Sequence, residues 1–218
     1  MTARISRRRL FSSRDALHRV VTIGDRPGTN DPNALSVWPI ACTSVAVTGS
    51  PGHVATAELV DGSVIALRKL TLADAADVVR LYETLSDDEC YYRFFTAHPA
   101  HLQTTALSLT EPSDTQYALG AFGAGRLLGV ANYIQIDTPR CAEMAVVVAH
   151  SEHLRGVGTA LLRRLGELAK ENGVQHLVAE VLAENHPMHR VLTDSGWPYT
   201  RHRDGAVLHV DIDLDAVT

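Results

Sequence analysis

The chain has 218 residues, 45% of them hydrophobic, enough to bury one sizeable core and suggesting one domain with an extension. Its 20 Lys and Arg against 25 Asp and Glu leave a net charge of -5, which argues against nucleic acid as the main partner. Cys42, Cys90 and Cys141 are an odd set without a Cys-x-x-Cys pair, which argues against a disulfide framework or thiolate zinc site, and no apolar run reaches bilayer length. A reducing cytoplasm with no membrane partner is therefore the expected setting.

Residues 1–54 differ from the rest. Arg4, Arg7, Arg8, Arg9, Arg14 and Arg19 crowd the first segment, which lacks the apolar core of a secretory signal. A solvated tail, an organelle transit peptide and a nucleic-acid or membrane tether all share that composition. The Gly- and Pro-rich runs GDRPGTNDPN and TGSPGH follow, and the expectation for 1–54 is a largely irregular extension ahead of a domain at 55–218.

The domain opens with two strands, Thr56 to Val60 and Ser63 to Arg68, about a two-residue turn at Asp61-Gly62. Thr71 to Asp74 and Ser86 to Glu89 are capping-box signatures that predict two successive helices, the second through Tyr91 Tyr92 Arg93 Phe94 Phe95, with Tyr91 and Phe94 packing inward. A Thr-, Ser- and Pro-rich loop is expected next. Tyr117 to Phe122 and Leu127 to Ile136 form a hairpin about Gly123 to Gly125. A helix from Thr159 ends at Asn172-Gly173, and a strand spans His176 to Leu182. A Pro-initiated helix then runs from Pro187 to Asp194, and Tyr199 to Arg203 and Val207 to Leu214 close the chain.

The stretch CAEMAVVVAHSEHLRGVGTALL, Cys141 to Leu162, organises this series. Met144 to Val148 is a short, β-branched run suited to a buried strand. A Gly-bearing turn and a helix start follow it, and the free amides of a helix start together with its dipole bind anions. Gly156 and Gly158 let a phosphate approach the backbone, and Arg155 supplies a side-chain cation. A P-loop would need Lys-Ser/Thr after the last glycine, where Thr159 and Ala160 stand; a dinucleotide fingerprint would need a third glycine at Leu161.

His153 Leu154 Arg155 Gly156 Val157 Gly158 resembles the Q/R-x-x-G-x-G/A pyrophosphate loop of the GNAT superfamily of acyl-CoA N-acyltransferases, with His153 in the Gln/Arg position. Glu184 Asn185 with Met188, and Gly196 Trp197, resemble the segments that line the CoA arm in that superfamily. DGSVIALRKLTLADAADVVRLYETLSDDECYYRFF and Ala142 Glu143 Met144 Ala145 Val146 Val147 resemble bacterial Pat-type protein-lysine acetyltransferases. The resemblance implies an α+β (α/β/α) GNAT fold, a mixed and mostly antiparallel sheet splayed beside its central strand and flanked by helices. It implies acetyl-CoA as co-substrate, bound by Val146, Val147 and Val148, by His153, Leu154, Arg155, Gly156, Val157, Gly158 and Thr159, and by Asn185 and Met188. It further implies Glu143 as the general base and a protein lysine as the acceptor.

An ammonium has no lone pair, so amine acetylation requires a base, and a carboxylate beside an apolar run suits that task. Many members of the superfamily hold a Tyr where Leu192 stands; Tyr199 or an unassisted thiolate would have to replace it. Acetylation of a small amine and a non-catalytic acyl-CoA-binding module are the competing readings. His98/His101, His150/His153 and His186/His189 are three His-x-x-His pairs among eleven histidines, none with the further ligands of a zinc motif, and no metal is expected. Oligomeric state is not legible in the sequence.

Overall fold

In the computed structural model the residues described are 47, 48 and 54–216. The extension expected over 1–54 therefore lies, but for Val47, Thr48 and Val54, outside the described residues.

The first strands are β1 (Val47–Thr48), β2 (Ala55–Glu58) and β3 (Val64–Lys69). The loop between β2 and β3 is one residue longer than the expected two-residue turn. Leu59 N–H donates to Ser63 O at 2.8 Å, and Gly62 supplies φ +79°, the left-handed geometry of a three-residue hairpin loop. At Thr71 to Asp74 the capping box forms as expected, first as a 3-10 turn and then as helix α1 (Ala75–Glu83). Ser86 and Glu89 cap helix α2 (Asp87–Phe94) reciprocally, with Glu89 Oε2 accepting the Ser86 amide at 2.8 Å. Within α2 it is Cys90 that is buried, while Tyr91 is exposed, which corrects the inward packing expected for Tyr91. Phe94 does pack inward, meeting Tyr82 edge to face at 5.2 Å.

The stretch expected as a loop holds a helix, α3 (Leu102–Thr110). Its Thr and Ser side chains make it a weak helix by propensity. Tertiary packing overrides this, since Ala106 and Leu109 join a core with Val78, Leu81 and Tyr82 of α1. The hydroxyls of Thr105 and Thr110 fold back onto the carbonyls of His101 and Ala106.

Strands β4 (Gln116–Gly123) and β5 (Arg126–Gln135) form the expected hairpin, turned by Ala124 and Gly125 at φ +48° and +75°. Then come β6 (Cys141–Val148), α4 (Val157–Glu171), β7 (His176–Leu182), α5 (His186–Ser195), β8 (Tyr199–Asp204) and β9 (Val207–Asp213). Among the described residues the sheet order is β1-β2-β3-β4-β5-β6-β7-β9-β8, antiparallel throughout except at β6 and β7. Leu161, Leu162 and Leu165 of α4 are fully buried on one face of the sheet, and α1 and α3 cover the other. Alternation along β6 puts Met144, Val146 and Val148 toward α4 and Val147 toward α1 and α3. No helix of the described residues is long and apolar enough to cross a membrane.

Arg68 of β3 anchors the start of α1 through a bidentate pair with Asp74 at 2.7 and 2.9 Å. Those bonds, with further donors from Thr71, hold the Asp74 carboxyl at about 2, below its ordinary 3.8. A folded-state value below the unfolded one gives stability that is complete above about pH 4 and lost as pH falls through about 2. Asp74→Asn should therefore destabilise the domain by about 2 kcal/mol near neutrality, and urea titrations at stepped pH should show the gap between wild type and variant closing in that acid window.

Candidate active site

The site is built around a fork in the sheet. β6 is registered along its length with β5, from Gln135↔Ala142 to Gly129↔Val148. β7 is registered along its length with β9, from His176↔Asp213 to Leu182↔Val207. Between them only Cys141↔His176, Ala142↔Leu177 and Glu143↔Val178 are paired. Beyond Glu143 the two strands part, so among the described residues the facing edges of Met144 to Val148 and Ala179 to Leu182 have no strand partner. Unpaired strand edges are ready to take an extended, hydrogen-bonding ligand.

Glu143 stands at the last paired position before the strands part and is half-buried. Its register partner on β5 is Ile134, and the next same-face pair is Asn132 with Ala145. Above that pair lies α2, whose Arg93 donates to Asn132 Oδ1 at 3.4 Å. Arg93 is half-buried, and among the described residues its Nε is a buried donor without a hydrogen-bond partner. Neither Arg93 nor Asn132 stood out in the sequence. The cue was present, an Arg inside the aromatic run from Tyr91 to Phe95, but its target is on a strand 39 residues away.

The chain leaves β6 through a 3-10 turn at His150–Glu152 and enters α4 at Gly156, whose φ of +96° is a conformation that side chains resist. Leu154, exposed and at φ +62°, takes a left-handed conformation without being glycine. The first backbone bond of α4 runs from Ala160 N–H to Gly156 O at 2.9 Å. The amides of Val157, Gly158 and Thr159 precede it and have no partner within the helix, the arrangement that receives an anion.

Two details differ from expectation. The Arg155 side chain is not a spare cation: its Nε and Nη2 donate to Asp61 Oδ2 at 2.9 and 2.6 Å, Nη2 reaches Ser63 Oγ at 2.9 Å, and Nη1 donates to Glu152. These partners raise the Arg155 pKa, the bond to Asp61 first among them. Val60 N–H also donates to Arg155 O at 3.0 Å, so Arg155 ties the loop to the β2–β3 hairpin. At Gly158, an added Cβ would stand 2.8 Å from Val191 Cγ2 of α5 and 3.5 Å from Val148 Cγ2. The second glycine is thus required by helix packing beside the fork, whatever it does for a ligand.

His153 offers Nε2 to the Val148 carbonyl at 3.1 Å and stands 3.3 Å from Glu89 Oε1. Burial raises the pKa of Glu89, but hydrogen bonds led by the Ser86 amide and His150 outweigh it and leave the carboxyl below its ordinary value. Asn185 is the N-cap of α5, its Oδ1 accepting Met188 N–H at 3.1 Å, and Met188 packs on the α4-side core. Trp197 lies over Gly166 in the middle of α4, where a Cβ would come within 2.6 Å of its ring. Leu192 is 1% exposed and fills the core. Tyr199 lies on β8, separated from β7 by β9, with its hydroxyl 3.4 Å from Thr193 Oγ1. Cys90 and Cys141 are buried, and burial is the main cause of their raised thiol pKa values, so neither is poised as a nucleophile.

Comparison with known proteins gives the site a context. Residues 78–197 match the model of the Acetyltransferase (GNAT) family. The GNAT domain of S. lividans PAT is similar in structure, with 29% identity, a TM-score of 0.67, and coverage of 76% of this chain and 99% of that one. A Salmonella typhimurium protein, yncA, solved with its cofactor acetyl-CoA, has 17% identity and a TM-score of 0.58 over 69% of this chain and 94% of its own. The paia N-acetyltransferase of Thermoplasma acidophilum, in complex with coenzyme A, has 15% identity and a TM-score of 0.53 over 68% and 98%.

Gly158→Ala should destabilise the domain by about 1–3 kcal/mol through overpacking. Val191→Ala, which removes the opposing methyls, should recover most of that loss in the double variant, as read from denaturant midpoints; a double variant as unstable as the sum of the singles would contradict the packing role.

Proposed function

The chain belongs to the GNAT acetyltransferase family, and from that premise we propose that this acetyl-CoA-dependent N-acetyltransferase acetylates protein lysine side chains, with Glu143 as general base. The observation that carries the reading is the position of Glu143 at the base of the fork, the one carboxylate of β6, beside the strand edge left open from Met144 onward. Two features support a lysine acceptor. The segments around Asp61 to Phe95 and Ala142 to Val147 resemble Pat-type enzymes, and the GNAT domain of S. lividans PAT is similar at 29% identity over nearly all of its length.

The residues present fit acetyl-CoA as co-substrate. The Val157, Gly158 and Thr159 amides at the start of α4 would receive the pyrophosphate, and the open edge at Val146, Val147 and Val148 would bind the pantetheine amides. Bound there, the co-substrate supplies an activated acyl group. The same strand edge would aim amide donors at the thioester carbonyl, where preorganised donors lower the barrier by about 3–4 kcal/mol each. Glu143, directly or through one water, removes the proton that the attacking ammonium must lose. Asn132 shares a sheet face with Glu143, and Arg93 of α2 reaches it there; in this reading the two border the acceptor.

Protonation of the departing sulfur has no donor at Leu192, which is apolar and buried. Tyr199 is held on the far side of β9. The thiolate leaves unassisted in this reading, which its ordinary pKa of about 8.5 permits. Residues 55–218 form the catalytic domain in this proposal, and the working compartment is the cytoplasm.

Glu143→Gln should lower kcat/KM by about 10² to 10⁴ while acetyl-CoA affinity, measured by calorimetry, stays near wild type. Thiol release with lysine peptides set against free polyamines, amino acids and aminoglycosides names the acceptor. Turnover confined to free amines would overturn the lysine assignment and leave the base assignment standing.

A further inference from the structure

Apart from the fork, the described residues bring together one set of metal-ligating side chains: Glu89 of α2 with His150 and His153 on the turn after β6. Their ligand atoms all lie within 4.8 Å of one another. His150 Nδ1 stands 2.9 Å, and His153 Nε2 3.3 Å, from the same oxygen, Glu89 Oε1. Ligands held at about 2.0–2.1 Å around a tetrahedral ion are separated by about 3.3 Å; the two histidine–carboxylate distances are already near that value, and binding would exchange the His153 Nε2 bond to Val148 O for the ion.

The surroundings suit such a site. Glu89 Oε2 is held by the Ser86 amide at 2.8 Å, which orients the carboxylate as outer partners orient metal ligands. The two imidazoles sit with ring centroids 5.3 Å apart, tilted by 52°. His150 has 79% of its side chain exposed, so the cluster opens to solvent, giving an entry path and room for a water as fourth ligand. For His153 to ligate through Nε2, its proton must reside on Nδ1; the ion then takes the lone pair that Nε2 otherwise lacks when it donates to Val148 O.

Two imidazoles and one carboxylate select borderline divalent ions over calcium or magnesium. We propose that Glu89, His150 and His153 form a binding site for a divalent transition metal of the zinc class, which staples α2 to the turn leading into the glycine loop. The His-x-x-His spacing holds no such site by itself; the third ligand comes from a helix 61 residues from His150. The proposal does not depend on the base or acceptor assigned above, and it gives His153 a role besides its place at the head of the glycine loop.

The test is a Co²⁺ titration of the chelator-treated full chain, followed by competition with Zn²⁺. One equivalent should produce the visible absorption of tetrahedral Co²⁺, and Zn²⁺ should abolish it. His150→Ala removes an exposed side chain, and Glu89→Gln keeps an acceptor for the Ser86 amide, so both variants should fold, as circular dichroism can verify. Each should weaken Co²⁺ by about tenfold or more and erase the rise in Tm that Zn²⁺ gives wild type. His186→Ala, in a different His pair, should bind as wild type does. A wild type without a tetrahedral Co²⁺ spectrum, or His150→Ala and Glu89→Gln variants with wild-type affinity, would overturn the proposal.

Discussion

Everything in this domain depends on the parting of β6 from β7 after Glu143↔Val178. Each strand is fully paired with its other neighbour, β6 with β5 and β7 with β9, so the parting leaves only the two facing edges open. Backbone amides left unpaired carry a cost unless water or a ligand satisfies them. The fold tolerates that cost in one place and turns it into a slot of strand-like donors and acceptors. The short parallel pairing at its base keeps Glu143 within the sheet's framework while opening the next residues.

Small residues and buried branched ones hold the fork open. Gly158 admits Val191 of α5 against the first turn of α4, with Val148 from the end of β6 close by. Asn185 caps α5 and sets the direction from which Val191 arrives. Leu192, one residue on, is sealed in the core, so this helix contributes packing where many relatives are expected to contribute an acid.

Charge in the loop is used for construction. Arg155 is enclosed by Asp61, Ser63 and Glu152, and Glu152 is itself buried and within 3.7 Å of Arg126. This network pins the loop to the β2–β3 hairpin and leaves recognition of an anion to amides and the α4 dipole, which are fixed by backbone geometry rather than by flexible side chains. On the other flank Glu89, His150 and His153 tie the same loop to α2. The turn between β6 and α4 is thus gripped from both sides.

Local signals were decisive wherever structure arises from a few adjacent residues. The capping boxes at Thr71 and Ser86, the Ala124-Gly125 turn, the β-branched run of β6 and the glycine at the start of α4 could all be read directly, because each rests on propensity, cap chemistry or φ preference. Helix α3 was illegible because Thr and Ser make up four of its nine residues and mask the helical pattern, and burial of Ala106 and Leu109 against α1 secures it. The engagement of Arg155 with Asp61, the meeting of Arg93 with Asn132 and the convergence of Glu89 on two histidines join residues 94, 39 and 61 positions apart. No spacing rule spans such distances. The sequence determined most of the elements, the glycine loop and the identity of the one carboxylate on the central strand; the tertiary structure alone decided that α3 forms, which charges were already engaged and which side chains faced each other, since all three follow from how separate elements pack.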